Sequence, residues 1–149
     1  DKPAAIRSLQ VINSLLTKVM YLVYPLLLIH LFINTPDKLP IFILIPGLSF
    51  ILVSLGRHLL NTPRPYETWN ITPLISKNTK GHSFPSRHVF SASIISMAVL
   101  TQSSFLGLIL LILSLIIAFC RVLGGVHYPH DVAAGYLIGL ICGFLLFLF

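Results

Sequence analysis

The chain has 149 residues, of which 56% are apolar and 9% charged, with a formal net charge of +6. A soluble domain carries roughly a quarter charged residues, so that class is excluded. A membrane β-barrel is excluded too, because it needs alternating strands of about 10 residues rather than long apolar runs. At about 20 helical residues per crossing of a hydrocarbon core about 30 Å thick, the length suits four or five crossings. The expectation is a single all-α membrane domain over residues 1–149.

The first apolar run covers about 11–33 and contains Pro25, tolerated in a membrane helix when neighbours satisfy the freed carbonyl. A turn at 34–40 follows, then a second run at about 41–56, interrupted by Pro46 and Gly47 and closed by Arg57. Residues 58–85 are the longest polar stretch, where Pro63, Pro65 and Pro73 break any continuous helix. Tyr66 and Trp69 suit headgroup depth there. Three closely spaced runs complete the chain at about 86–101, 105–123 and 132–149. Cys120 and Cys142 both fall inside apolar runs, so no disulfide framework is indicated. No cleavable signal peptide is evident.

If all five runs cross, the end of the second, the start of the third and the turn between the last two share one membrane face. Arg57, Arg64, Arg87 and Arg121 lie there, with His58, His82, His88, His127, His130 and Asp131; the opposite face has little beyond Asp37 and Lys38. Isolated cations at segment ends, without a basic stripe interleaved with aromatics, do not fit nucleic acid. Ionisable groups near hydrocarbon are costly unless they serve a site. Four guanidiniums repel one another unless an anion lies between them, and their planar forks match phosphate oxygens. Ser86 precedes a helical run, where free N–H groups also favour phosphate.

His127 and Asp131 are four apart, one turn if the last helix begins that early. The carboxylate then accepts from one imidazole nitrogen and leaves the other as nucleophile. His88, on the first turn of the third helix, is placed to protonate a leaving oxygen and later activate water. Taken alone, His127 with Asp131 reads as an ordinary helix-surface contact; His88 and four arginines on the same face favour the catalytic reading. A metal reading of His127, His130 and Asp131 is disfavoured, because a divalent cation would add charge to a site already carrying about four positive groups. No cofactor or metal is expected.

Arg57, six residues, then Arg64-Pro65; Pro85-Ser86-Arg87-His88; and Arg121, five residues, His127, three residues, Asp131 together resemble the three-part signature of the type 2 phosphatidic acid phosphatase superfamily. The resemblance implies a helical bundle, commonly of six crossings, and metal-independent hydrolysis of lipid phosphates or diphosphates. It implies that His127 forms a phosphohistidine, Asp131 orients it, and His88 serves as acid and then base. Arg57, Arg64, Ser86, Arg87 and Arg121 would hold phosphate oxygens. A chain of five crossings would lack the family's usual first helix.

Three positions depart from the family's usual residues: Arg57 for Lys, Arg87 for Gly and Cys120 for Ser. Arg87 either binds a second phosphate or pairs with an acidic group such as Glu67. His58 and His82 read as loop or interfacial residues without a chemical part, His130 as solvent-facing or capping, and His30 as packed or snorkelling. Lys77 and Lys80 read as a solvated loop face or as headgroup contacts. Gly135, Gly139 and Gly143 repeat every four residues, which suits internal helix packing ahead of dimerisation; no homo-oligomer is indicated. Asn70-Ile71-Thr72 matches a glycosylation acceptor and is assigned no function.

The expected function is hydrolysis of a lipid phosphate or diphosphate in the bilayer, with an undecaprenyl carrier first and phosphatidylglycerophosphate or phosphatidate next. The rivals are a non-catalytic binder of anionic lipid and a lipid phosphotransferase. Small size resembles a bacterial member, with the site on the extracytoplasmic face as the family usually has it. The positive-inside rule points the other way, through Lys2, Arg7 and Lys18, but most cations on that side serve the expected pocket.

Overall fold

The computed structural model describes residues 2–77 and 79–149. Its helices are α1 (Lys2–Asn34), α2 (Leu39–Leu60), the single turn α3 (Pro65–Thr68), α4 (Arg87–Leu100), α5 (Ser104–Leu123) and α6 (Pro129–Phe144), with short 3-10 turns at Pro36–Lys38 and Leu145–Leu148. The fold is all-α, an integral membrane helical bundle.

Boundaries differ from those expected in instructive ways. At 33 residues α1 is about 50 Å long, so it runs beyond the hydrocarbon at its charged start rather than beginning at Val11. Pro25 and Pro46 are accommodated inside α1 and α2 without ending them. Helix α2 continues through His58, which is therefore helical rather than part of the loop. It stops where Asn61 turns left-handed (φ 41°) and its N–H reaches the Arg57 carbonyl at 3.0 Å. Helix α6 begins at Pro129, so His127 stands two residues ahead of it rather than on its first turn.

Among the described residues four helices are long and apolar enough to cross a membrane; α4, with 14 residues, is the shorter fifth. It can be short because protein surrounds it: α4 packs chiefly on α6 and α5, and also on α1 and α2. Nine of its residues are buried. Its inward hydroxyls are satisfied within the helix, Ser93 Oγ donating to the Phe90 carbonyl at 3.0 Å and Ser96 Oγ to that of Ala92 at 2.7 Å. Leu31, Phe42, Ala98, Ile117 and Leu146 fill the centre, while outward Leu108, Phe119 and Ile141 stay exposed, the pattern of a bundle whose solvent is lipid.

The glycine stripe of α6 lies against α4 of the same chain. A Cβ on Gly135 would stand 2.5 Å from the Ser86 carbonyl oxygen, one on Gly139 would strike Ser93 Oγ and stand 2.7 Å from the Phe90 carbonyl, and one on Gly143 would strike Met97. Gly139→Ala is expected to destabilise the fold by about 1–3 kcal/mol through overpacking. A thermal midpoint measured in detergent reads this loss. Gly47→Ala, whose Cβ meets nothing within 4 Å, is the comparison that keeps its midpoint.

Candidate active site

Three chain segments meet at one end of the bundle: the last turn of α2, the loop from 61 to the start of α4, and the end of α5 with the turn into α6. The loop is stitched down mainly by Arg64. Its Nε donates to the Gly81 carbonyl at 3.0 Å, Nη1 to Val126 at 2.9 Å and Nη2 to His82 at 3.4 Å. Glu67 braces the same loop, its Oε2 accepting from the backbone N–H of Arg64 at 2.8 Å and of Gly81 at 2.9 Å. Arg57 Nη1 donates to the Pro85 carbonyl at 2.5 Å, fixing the approach to α4. The Ser86 N–H donates to the Asp131 carbonyl at 2.9 Å, which joins the starts of α4 and α6.

Asp131 is fully buried and organises His127. Its Oδ2 lies 3.4 Å from His127 Nδ1, and accepts from Ser83 Oγ at 2.5 Å and from the Tyr128 N–H at 2.9 Å. Ser83 Oγ is itself 3.4 Å from His127 Nδ1. With Nδ1 occupied by this pair, Nε2 is the free nitrogen of the ring. Burial pulls the His127 imidazole down to about 4; the Asp131 hydrogen bond opposes the shift, and Arg64 and Arg57 add to it. The ring is therefore neutral at pH 7, the form with a lone pair to offer.

A cavity of about 220 Å³ opens beside it, with Arg57, Arg64, Lys77, Arg87, His88 and His127 among its walls. The Lys77 ammonium is pushed down by burial and then by Arg64, Arg121, Arg57 and Arg87, so all four guanidiniums act on one place. That concentration of positive charge, walled also by four histidines, is suited to an oxyanion. Ser86, Arg121 and Asp131 are buried and do not line the cavity. Ser86 Oγ and Arg121 Nε have no hydrogen-bond partner among the described residues.

Comparison with known proteins gives the family. The description of the PAP2 superfamily matches residues 38–149. The chain belongs to the PAP2 superfamily. It is 33% identical to undecaprenyl-diphosphatase BcrC of Bacillus subtilis, over 97% of this chain and 80% of that protein. Its structure matches Aquifex aeolicus LpxE with a TM-score of 0.75 at 28% identity, covering 98% of this chain and 94% of that one. It shares its fold with the PAP2-type phosphatidylglycerolphosphate phosphatase of Bacillus subtilis at a TM-score of 0.65 and 20% identity, covering 96% and 84%. The protein is a PAP2 membrane phosphatase acting on lipid phosphates.

Within this PAP2 site, five of the eight residues expected from sequence, His127, His88, Arg57, Arg64 and Arg87, face one cavity, and Asp131 reaches it through His127. The pairing of Arg87 with Glu67 does not form: Glu67 is engaged by the backbone, and Arg87 turns toward Ser54 and Phe50. His58 and His82 also face the cavity, their rings stacked 5.3 Å apart, with His82 Nδ1 3.1 Å from the Arg57 carbonyl. His130 is exposed, its Nε2 3.1 Å from Asp131 Oδ1. Among the described residues no three His, Cys, Asp or Glu side chains are grouped to hold a metal ion. Lys77 and Ser83 carry more of the site than the sequence disclosed. Ser83 has only its place three residues before Ser86 as a signal.

Proposed function

We propose that the whole chain is one phosphatase domain that hydrolyses a lipid diphosphate, undecaprenyl diphosphate first, through a phosphohistidine and without a metal. Phosphatidylglycerophosphate and phosphatidate are the next candidates. The observation that carries this reading is the buried His127 held by Asp131 and Ser83 in a cavity shared with His88 and three guanidiniums. The name of the 33% identical Bacillus protein supports the choice of lipid.

In the proposed reaction His127 Nε2 attacks the terminal phosphorus, forming an N–P bond as the bond to the bridging oxygen breaks. His88, protonated once the negative charge of the phosphate is bound beside it, gives that proton to the bridging oxygen, and the lipid leaves with one phosphate fewer. His88 then takes a proton from water, which attacks phosphorus; the N–P bond breaks and inorganic phosphate departs. Arg57 and Arg64, at the cavity wall, hold the charge that builds on the equatorial oxygens; Arg121 and Ser86, which lie behind that wall, are proposed to turn their unpartnered Nε and Oγ toward it when phosphate binds.

The test is phosphate release by the purified protein from undecaprenyl diphosphate, phosphatidylglycerophosphate and phosphatidate in excess chelator. Release that persists and is fastest on the diphosphate is expected. A need for added divalent metal overturns the metal-free mechanism, no release at all favours a lipid binder, and a rate that follows the concentration of an added alcohol identifies a transferase. The site is proposed to face the extracytoplasmic side; a membrane-impermeant thiol reagent reacting in intact cells with Lys80→Cys is the expected outcome there.

A further inference from the structure

The phosphate cavity continues into the bundle. Arg87 and His88 also line a second cavity of about 170 Å³ whose remaining walls, including Met20, Phe50, Ile95 and Ile117, are mainly apolar. That space shares Met20, Tyr21, Phe50 and Ile95 with a third, of about 270 Å³, which extends between α1, α2 and α4 to Tyr24, Pro46 and Gly47. A polar chamber and an apolar corridor thus meet at Arg87.

Arg87 differs from the other cations of the chamber in what it already holds. Arg57 and Arg64 are buried and tied to backbone carbonyls, Arg64 to three of them. Arg87 is exposed; its guanidinium lies 5.6 Å from the Phe50 ring centroid, and its one polar contact among the described residues is Ser54 Oγ at 3.5 Å, beyond good hydrogen-bond distance. Among the described residues no carboxylate pairs with it, which leaves its fork of donors available to a ligand.

A lipid diphosphate is ordered as terminal phosphate, inner phosphate, then hydrocarbon. With the terminal group at His127 and the chain in the corridor, the inner phosphate falls at the junction. A lipid monophosphate has no second charge to place there. We propose that Arg87 is a specificity-determining residue that binds the inner phosphate of a lipid diphosphate where the chamber opens into the corridor. There it also stabilises the charge left on the departing lipid phosphate when the bridging bond breaks. This deepens the reading of the site as a lipid phosphatase and rests on it.

Farnesyl diphosphate and farnesyl monophosphate carry the same chain and isolate the second phosphate. With the purified full chain in detergent, kcat/KM is measured on both for the wild type, Arg87→Gln, Arg87→Lys and Arg57→Ala. Arg87 is exposed, so these substitutions leave packing intact, and Arg87→Lys keeps the charge. The diphosphate-to-monophosphate ratio is expected to fall about 10- to 100-fold in Arg87→Gln, the scale of a lost charge-assisted pair. Arg87→Lys should recover part of it. Arg57→Ala should slow both substrates and leave the ratio within about twofold. An unchanged ratio in Arg87→Gln, including equal losses on both substrates, overturns the role of Arg87 while the phosphatase reading stands. A wild type that releases phosphate from neither substrate overturns that reading, and this one with it.

Discussion

His127→Ala is expected to lower phosphate release from lipid diphosphate by about 10³-fold or more, the scale at which removal of a covalent nucleophile is felt. Loss of the ring removes the only group proposed to bond phosphorus, and neither His88 nor the guanidiniums can replace it. The comparison is His127→Gln, which keeps a polar side chain beside Asp131 and Ser83; helix content by circular dichroism should match the wild type in both. Activity retained in both variants would remove the phosphohistidine and leave His88 with water as the mechanism to consider.

The same residue sets a pH expectation. Burial holds the His127 imidazole at about 4 in the folded protein, against about 6.5 in an unfolded chain. In the free enzyme the ring is therefore neutral and nucleophilic down to about 4, and the acid limb of kcat/KM belonging to it should lie there rather than near 6.5. For stability the sign is opposite to that of a salt-bridged histidine. Between 6.5 and 4 the unfolded chain binds the proton and the folded one does not, so stability is full above 6.5 and declines as pH falls.

Much of the site could be read from the sequence because its residues sit at the ends of apolar runs. Helix lengths fixed by the bilayer bring the ends of α2 and α5 and the start of α4 to one face, so Arg57, Arg121 and His88 are placed by periodicity and crossing number alone. The loop between α2 and α4 has no such periodicity. Its path depends on tertiary hydrogen bonds involving Arg64 and Glu67, which is why the sequence does not distinguish Lys77 from a solvated loop face and carries no signal for Ser83 beyond its position. That Glu67 is not the partner of Arg87 is likewise visible only in the fold, where backbone N–H groups already occupy that carboxylate. His58 is helical rather than part of the loop, and the polar residues after Arg57 carry no signal that α2 runs to Leu60.

Arg64→Lys is expected to cost both stability and rate, which separates Arg64 from the other guanidiniums. A lysine ammonium is a compact point of charge and cannot span the carbonyls of Gly81, His82 and Val126 that the Arg64 fork reaches together. A buried acceptor left unpaired costs about 1–3 kcal/mol; the Val126 bond is buried and those to Gly81 and His82 are partly so, so the variant should lose about that much or more and show a clear fall in thermal midpoint in detergent. Rate falls as well, because the strands of chain released at 81–82 and 126 lead directly into Ser83 and His127, which must keep their 3.4 Å relation beside Asp131. Arg57→Lys provides the contrast. Arg57 makes one such bond, to Pro85, and lysine is the residue the family usually carries there, so its midpoint should move far less. Equal midpoints for the two variants would mean that Arg64 only holds phosphate; a large gap would show that the residue binding the anion also folds the loop around it.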